Sequence, residues 1–170
     1  LLYTFFFVLL LPVIVLRLWW KGRHNIAYRD RLAERFGIFA APPNKGGIWV
    51  HAVSVGETIA ALPMIEQLLQ RYPHLAMTVT TTTPTGSERV RAALGDRVFH
   101  VYSPYDLPSC VNAFLRRIQP SICLIMETEL WPNMVACNAA FGVKTLLINA
   151  RLSRRSARSY RRFACLTKPM

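Results

Sequence analysis

The stretch GIWVHAVSVGETIAALPMIEQLLQRYP, residues 47–73, decides the fold. Its first part, Ile48–Val53, is a short apolar run that suits a buried strand. Glu57–Arg71 then carries apolar side chains at helical spacing, and Pro73 marks a turn. A buried strand followed by an amphipathic helix is the unit from which parallel sheets are built.

The same unit recurs along the rest of the chain. We predict strands at Met77–Thr83, Val98–Tyr102, Ile122–Met126 and Thr145–Asn149, and helices at Ser87–Leu94, Asp106–Ile118 and Pro132–Phe141. Alternating strands and helices indicate β-α-β units whose sheet is covered on both faces. The predicted fold class is therefore α/β, with a Rossmann-like doubly wound parallel sheet over residues 47–170.

An apolar segment precedes this domain. Residues 1–20, LLYTFFFVLLLPVIVLRLWW, carry no charge before Arg17 and end in two tryptophans. A membrane span needs ~20 mostly apolar residues, so the length is marginal, and Pro12 would kink the helix. Tryptophan beside Lys and Arg is typical of a membrane boundary, and positive charge collects on the cytoplasmic side. We expect an N-terminal membrane anchor, with a buried core helix as the alternative.

A basic, broken segment, residues 21–46, links the two parts. Within it, Tyr28–Phe36 is predicted to be a short amphipathic helix near the lipid headgroups, although a solvated helix has the same pattern. The whole chain of 170 residues has a formal net charge of +12 and 52% hydrophobic residues. That much apolar side chain excludes a disordered chain, and the charge suits nucleic acid, an anionic membrane or a phosphorylated substrate.

Three loops follow predicted strands, where ligands of doubly wound sheets bind. In the first, Ser54 and Glu57 have capping-box spacing, so Glu57 is either a helix cap or a general base at the mouth of the sheet. Gly56 would let the backbone pass close to a ligand. The positive helix end is expected to lower the pKa of the Glu57 carboxyl. The spacing alone favours the cap.

The second and third loops also have two interpretations each. Thr85 and Glu88 repeat the capping-box spacing, while Arg89 beside a hydroxyl-rich turn suits a phosphate. Glu127 and Glu129 leave an apolar strand, which is costly for carboxylates unless they are paired or hydrogen-bonded. Walker A and GxGxxG sequences are absent, so nucleotide sites of those types are unsupported.

The segments around these loops resemble the N-terminal half of bacterial 3-deoxy-D-manno-octulosonic acid (Kdo) transferases. The resemblance rests on WVHAVSVGET at 49–58, TPTGSERV at 83–90, YSPYDLP at 102–108, METELWPN at 126–133 and INARLSRRS at 148–156, with RFGIF at 35–39. It covers essentially the whole chain, in matching order. Several consecutive signatures are far more specific than any single one.

This resemblance implies a membrane-anchored GT-B glycosyltransferase on the cytoplasmic face of the bacterial inner membrane. Its N-terminal domain would bind a lipid A precursor, lipid IVA, and a C-terminal domain absent from this chain would bind CMP-Kdo. Transfer would invert the anomeric carbon without a metal or cofactor. This half alone is expected to be inactive, and anionic lipids, not nucleic acid, are the expected further partners.

The resemblance also implies roles for individual residues. Glu57 would be the catalytic base, and Glu127 and Glu129 would support catalysis by orienting the acceptor or stabilising the transition state. The acceptor would be bound by Ser54, Gly56, Thr85, Gly86, Ser87, Arg89 and Arg151. The arginine-rich segment 151–162 would meet phosphates or the bilayer. The alternatives are a non-catalytic membrane-tethered module that binds anionic lipid, with Glu57 as a cap only, and a GT-B transferase for another phosphorylated lipid.

Overall fold

A computed structural model of the chain describes residues 2–23 and 25–150, so Arg151 and the segment 151–162 lie outside the described residues. The five strands are β1 (Ile48–His51), β2 (Met77–Thr81), β3 (Phe99–Tyr102), β4 (Ile122–Met126) and β5 (Lys144–Ile148). The helices are α1 (Leu2–Lys21), α2 (Val55–Arg71), α3 (Pro84–Leu94), α4 (Pro108–Ile118) and α5 (Pro132–Ala140). Short 3₁₀ segments lie at Ile26–Tyr28, Leu32–Phe36 and Gly95–Arg97.

The strands form one parallel sheet in the order β3-β2-β1-β4-β5. Successive side chains of a strand point to opposite faces. Val50 therefore joins the core beneath α2 and α3, whereas its neighbour Trp49 packs with Phe114 of α4 and Met134 of α5 on the other face. Both faces are covered, and the predicted doubly wound α/β fold is confirmed.

The sheet has its topological switch between β1 and β4. Val50 pairs with Val79 of β2 on one side and with Leu124 of β4 on the other. From β1 the chain runs to β2 and β3, then returns to add β4 and β5. The loops that leave β1 and β4 therefore diverge, and this is where doubly wound sheets leave a crevice for ligands.

Helix α1 is the helix of the described residues that is long and apolar enough to cross a membrane, with a mean hydropathy of 2.2 over its best window. One of its sides packs against a small cluster built on Tyr105, Leu107 and Cys110; that side consists of Phe7, Leu11, Ile14, Val15 and Leu18. The opposite side is exposed and apolar, and includes Phe5, Leu9, Val13, Leu16 and Trp20. Pro12 lies within the helix without ending it.

The predicted helix Tyr28–Phe36 is wrong. Two 3₁₀ segments stand there instead, and Arg31 between them adopts the left-handed conformation with φ of 59°. The guanidinium of Arg31 donates to Ser87 Oγ at 3.1 Å and to the His100 carbonyl oxygen at 2.9 Å. These contacts with the domain outweigh local helix propensity, which tertiary packing routinely overrides. The segment is thereby held across the carboxyl edge of β2 and β3.

Candidate active site at the carboxyl edge of the sheet

Ser54 and Glu57 form a complete capping box at the start of α2. The Glu57 amide donates to Ser54 Oγ at 3.2 Å, and Glu57 Oε1 accepts from the Ser54 amide at 3.3 Å. The second carboxylate oxygen, Oε2, accepts from the Val53 amide at 2.8 Å. Two backbone amides thus fix the carboxylate at the end of β1, beside the switch point. The capping box predicted from the sequence is confirmed, and it also orients the Glu57 carboxylate.

The pKa of the Glu57 carboxyl is raised, contrary to the expectation from its place at a helix N-terminus. Burial is the largest cause, and the nearby charge of Glu129 adds to it. The hydrogen bonds from Val53 and Ser54 lower the pKa but do not cancel the burial. The prediction was wrong because Glu57 is only 6% exposed, so desolvation outweighs the helix end. A raised pKa makes this carboxylate a stronger base than an exposed glutamate.

The loop after β4 brings one of its two carboxylates to Glu57. Glu129 affects the pKa of Glu57 through its charge and accepts a hydrogen bond from Trp131 Nε1 at 3.0 Å. Glu127 adopts φ of 56°, and its amide donates to the Ile148 carbonyl oxygen at 2.9 Å. Its left-handed backbone turns the chain sharply out of β4. Of the two, Glu129 is therefore the carboxylate whose charge acts on Glu57.

Asp106, in the segment YSPYDLP at 102–108, binds the first amides of helix α5. Its carboxylate is buried and accepts from the amides of Asn133 at 3.2 Å and Met134 at 2.7 Å, at the start of α5. The side-chain amide of Asn133 also donates to the Asp106 carbonyl oxygen at 2.6 Å. Asp106 thus supplies the cap that Trp131, the residue before α5, does not provide. It positions the loop that carries Glu129.

His51 was missed as a site residue by the sequence analysis. It is the last residue of β1 and fully buried, with Nδ1 at 3.1 Å from Thr80 Oγ1 and 3.3 Å from Ser103 Oγ. Its ring lies edge-on to Trp131, with centroids 4.8 Å apart. Burial lowers the pKa of His51 to about 3, so the ring is neutral at physiological pH. The sequence signal that could have identified His51 was its position as a polar residue at the end of an apolar strand.

Helix α3 starts differently from the prediction. Its cap is Thr83, whose Oγ1 accepts from the Gly86 amide at 3.1 Å, so the expected box from Thr85 to Glu88 is wrong. Pro84, which suits the first helical position, starts the helix three residues before the predicted Ser87. Thr85 is exposed. Its hydroxyl lies 3.4 Å from Thr83 Oγ1.

The other predicted acceptor residues of this loop divide into buried and exposed ones. Gly86 is buried where a Cβ would lie 3.5 Å from Thr58 Oγ1 of α2. Ser87 is buried and accepts from Arg31. Arg89 is exposed. Gly86 therefore lies beside the start of α2, whereas Ser87 is engaged within the protein, and the acceptor contacts stay predictions.

A cavity of about 280 Å³ lies between α1 and the carboxyl edge of the sheet. Its lining comprises Ile14, Arg17, Leu18, Lys21, Arg35, Thr82, Ser103, Pro104, Tyr105 and Trp131. Thr82 connects it to the carboxylate site, because Thr82 Oγ1 donates at 2.8 Å to the carbonyl oxygen of Val53, whose amide holds Glu57. The cavity and Glu57 thus lie at the same edge of the sheet and are linked through Thr82 and Val53, although Glu57 does not line the cavity. We name it the α1 cavity.

Another cavity, of about 350 Å³, lies at the amino ends of the strands, where Pro43, His74 and Asp96 line it. It is at the opposite edge of the sheet from Glu57. Among the described residues, no group of three His, Cys, Asp or Glu side chains is placed to hold a metal ion. Metal independence of the reaction stays a prediction.

Comparison with known proteins gives a consistent result. Residues 30–170 match the family described as 3-deoxy-D-manno-octulosonic-acid transferase (kdotransferase). The 3-deoxy-D-manno-octulosonic acid transferase of Haemophilus influenzae is 48% identical over 160 residues, which cover 93% of this chain and 38% of that protein. The Bordetella pertussis protein of the same name is 38% identical over 156 residues, covering 88% of this chain and 36% of the relative.

A plant protein is also similar. The probable mitochondrial 3-deoxy-D-manno-octulosonic acid transferase of Arabidopsis thaliana is 36% identical over 146 residues, or 85% of this chain and 33% of that protein. The chain thus spans between 33% and 38% of the length of these three relatives.

Proposed function

The chain belongs to the 3-deoxy-D-manno-octulosonic acid (Kdo) transferase family, and from this premise we propose that it is the acceptor-binding part of a GT-B enzyme. The full protein would transfer Kdo from CMP-Kdo to a lipid A precursor, lipid IVA, in lipopolysaccharide core biosynthesis. The chain covers 38% of the Haemophilus influenzae relative, so we assign the CMP-Kdo site to a C-terminal domain beyond this part. Residues 1–170 alone are then expected to be inactive.

The observation that carries the proposal is the position of Glu57. Its carboxylate stands beside the topological switch, held by two amides and with a raised pKa. In the proposed reaction it takes the proton of an acceptor hydroxyl while that oxygen bonds to the anomeric carbon of Kdo. The bond from this carbon to the CMP phosphate breaks, and CMP leaves with the electron pair. A single displacement of this kind inverts the anomeric carbon and needs no metal or cofactor.

Glu129 and His51 support this role of Glu57. The charge of Glu129 favours a proton on Glu57, which strengthens Glu57 as a base, and Trp131 holds Glu129 in place. The neutral His51 packs beneath Trp131 without adding a positive charge that would weaken the base. Glu127 is kept as a second supporting carboxylate, at the sharp turn out of β4.

The same proposal places the protein at the cytoplasmic face of the inner membrane. The exposed apolar side of α1 would face lipid, and the two cations near its carboxyl end, Arg17 and Lys21, would meet anionic headgroups. Because the other side of α1 packs on the domain, the α1 cavity would open close to the bilayer. Co-sedimentation of the full-length protein with anionic vesicles tests this placement, which fails if the protein stays in the supernatant.

The substitution Glu57→Gln in the full-length protein tests the reaction. Glutamine keeps one of the two acceptor oxygens and so can still close a capping box, with some loss of stability from the other amide, while the loss of the base should lower kcat by about 10²–10⁴-fold. The measurement is radiolabel transfer with CMP-Kdo as sole donor, alongside thermal unfolding. Glu88→Gln is the matched control, because Glu88 lies exposed on α3.

Each alternative has its own outcome in this experiment. Near-normal transfer by the Glu57→Gln variant would leave Glu57 as a cap only. No transfer by the wild-type full-length protein would favour the anionic-lipid module or a transferase that uses another donor.

A further inference from the structure

The α1 cavity has an unusual charge. Three cationic side chains line it, Arg17 and Lys21 of α1 and Arg35 of the second 3₁₀ segment, and no acidic side chain is among the lining residues. Arg17 and Lys21 are exposed and stand at the rim, whereas Arg35 is only 4% exposed. One of the three positive charges is thus held where water has little access.

Among the described residues Arg35 has no salt-bridge partner, although the charge of Glu34 acts on it from nearby. Its Nη2 donates to the Thr82 carbonyl oxygen at 2.8 Å, and its guanidinium lies 4.4 Å from the centroid of the Tyr102 ring. Its Nε has no hydrogen-bond partner among the described residues. Burial lowers the pKa of Arg35, the direction expected of a cation deprived of water. Arginine is almost never fully buried unless it is paired, because an uncompensated charge is costly.

A second unpartnered group lies in the same wall. Tyr105 lines the cavity, and its buried hydroxyl has no hydrogen-bond partner among the described residues. Its ring is held edge-on by Phe36 at 5.1 Å between centroids, and its amide donates to the Arg35 carbonyl oxygen at 2.7 Å. Arg35 Nε and the Tyr105 hydroxyl therefore belong to two segments that are hydrogen-bonded to each other. Both residues line the cavity, next to Arg17 and Lys21.

We propose that the α1 cavity binds a phosphate group of a membrane glycolipid, with Arg35 as the buried contact and Arg17 and Lys21 at the rim. Guanidinium groups match phosphate oxygens in geometry and charge. The apolar side chains of Ile14 and Leu18 in the same lining suit the lipid part of such a molecule. The anchor helix would then form part of the ligand site as well as holding the protein at the bilayer.

This inference rests on the proposed function for the identity of the glycolipid, a phosphorylated acceptor. Its position agrees with that function, because Thr82 lines the cavity and is bonded to Val53, whose amide holds Glu57. A phosphate seated at Arg35 would fix the acceptor beside the base. A phospholipid headgroup offers the same chemistry, so the experiment must separate the two sources.

The test uses the full-length protein with Arg17 and Lys21 both changed to Gln, since these exposed side chains can be replaced without disturbing the core. Arg35→Lys is the second variant, which keeps the charge but loses the planar fork. Arg23→Gln is the matched control: it is exposed near the same helix end, lies over the Trp19 ring at 5.4 Å and does not line the cavity. Calorimetry without CMP-Kdo measures binding of a phosphorylated glucosamine lipid and of its dephosphorylated form.

We expect both variants to weaken binding of the phosphorylated lipid by about tenfold or more, the size of a charge-assisted hydrogen bond. Binding of the dephosphorylated form should not change, and Arg23→Gln should behave as wild type. The same titrations are repeated with phosphatidylglycerol as a competitor. If the variants bind the phosphorylated lipid normally and differ from wild type only in no longer being inhibited by phosphatidylglycerol, the phosphate site stands with a phospholipid as its ligand. Equal binding of both lipids by wild type and variants would overturn the inference. Intact binding without Kdo transfer would count against the proposed function alone.

Discussion

The helices α2 and α3 begin side by side at the carboxyl edge of the sheet. Their first turns have similar sequences, but their glutamates lie in different surroundings. Both have a hydroxyl cap, a glycine in the first turn and a glutamate nearby: Ser54, Gly56 and Glu57 in α2, and Thr83, Gly86 and Glu88 in α3. In α2 the glutamate is the third residue after the cap and folds back onto it. In α3 it is the fifth and is exposed.

The difference between the two helix starts comes from their neighbours. The start of α2 faces the loop after β4, which brings the charge of Glu129 to Glu57. The start of α3 faces Arg31, which donates to Ser87. A capping pattern therefore does not distinguish a catalytic carboxylate from a structural one. What distinguishes them is the loop that the topology places opposite.

The largest effect expected from this comparison is on the pH dependence of activity, when the charge of Glu129, opposite the start of α2, is removed. Glu57 must be ionised to accept a proton, so activity is lost as the pH falls through its raised pKa. Burial is the main cause of the raised pKa and the charge of Glu129 a smaller one, so Glu129→Gln should move the acidic limb of the pH–rate profile to lower pH by a small amount. At the pH optimum we expect a loss of no more than about tenfold, since the base is weakened but kept.

Full pH–rate profiles of the wild type, Glu129→Gln and Glu88→Gln check this. Glu88 lies exposed on α3, so its variant should keep the wild-type acidic limb. An unmoved limb in Glu129→Gln would show that the two carboxylates are not coupled, and would remove the distinction drawn between the two helix starts.

The sequence could predict the parallel sheet and the edge at which these loops lie, because both follow from the alternation of strands and helices. Apolar strands alternating with helices require a parallel sheet, and the ends of such strands meet at one edge. Glu57 and Glu129 were therefore predictable as residues of one edge, whereas the adjacency of β1 and β4 that brings their loops together is seen in the fold. The sign of the Glu57 pKa shift was not, because burial outweighs the helix end only in the folded environment.

The α1 cavity could not be predicted from the sequence. Arg35 belongs to a segment whose path depends on the left-handed backbone of Arg31 and on contacts with residues more than fifty positions away, such as Ser87 and His100. Its other wall depends on which side of α1 meets Tyr105. Periodicity shows that α1 is apolar all round and does not show which side docks.

A smaller effect is expected from removing each cap. Ser54→Ala and Thr83→Ala each delete the hydroxyl that accepts from a first-turn amide, and each should lower the free energy of unfolding by about 1 kcal/mol. Only Ser54→Ala should also lower kcat, because Ser54 helps to hold the residue that carries the base. Denaturant unfolding and transfer assays on the full-length variants measure both quantities. A matching drop in kcat for Thr83→Ala would mean that the start of α3 also takes part in the reaction.

The smallest expected effect compares the two glycines, and it is the sharpest test of the acceptor contacts. A Cβ on Gly56 would meet only Ser54 Oγ, at 3.8 Å, so Gly56→Ala should raise the free energy of unfolding by up to about 1 kcal/mol through helix propensity. A Cβ on Gly86 would lie 3.0 Å from the capping Thr83 Oγ1 and 3.3 Å from Thr81 Cβ, so Gly86→Ala should lose that gain.

Stability and activity should then move in opposite directions at position 56. If the acceptor passes close to the backbone at Gly56, the more stable Gly56→Ala variant should have a lower kcat/KM for the lipid, since its new methyl group occupies the approach to Glu57. Thermal unfolding and acceptor titrations on the same preparations check this. An alanine variant that is both more stable and fully active would remove Gly56 from the acceptor site, and would leave the start of α2 distinguished from that of α3 by its carboxylate alone.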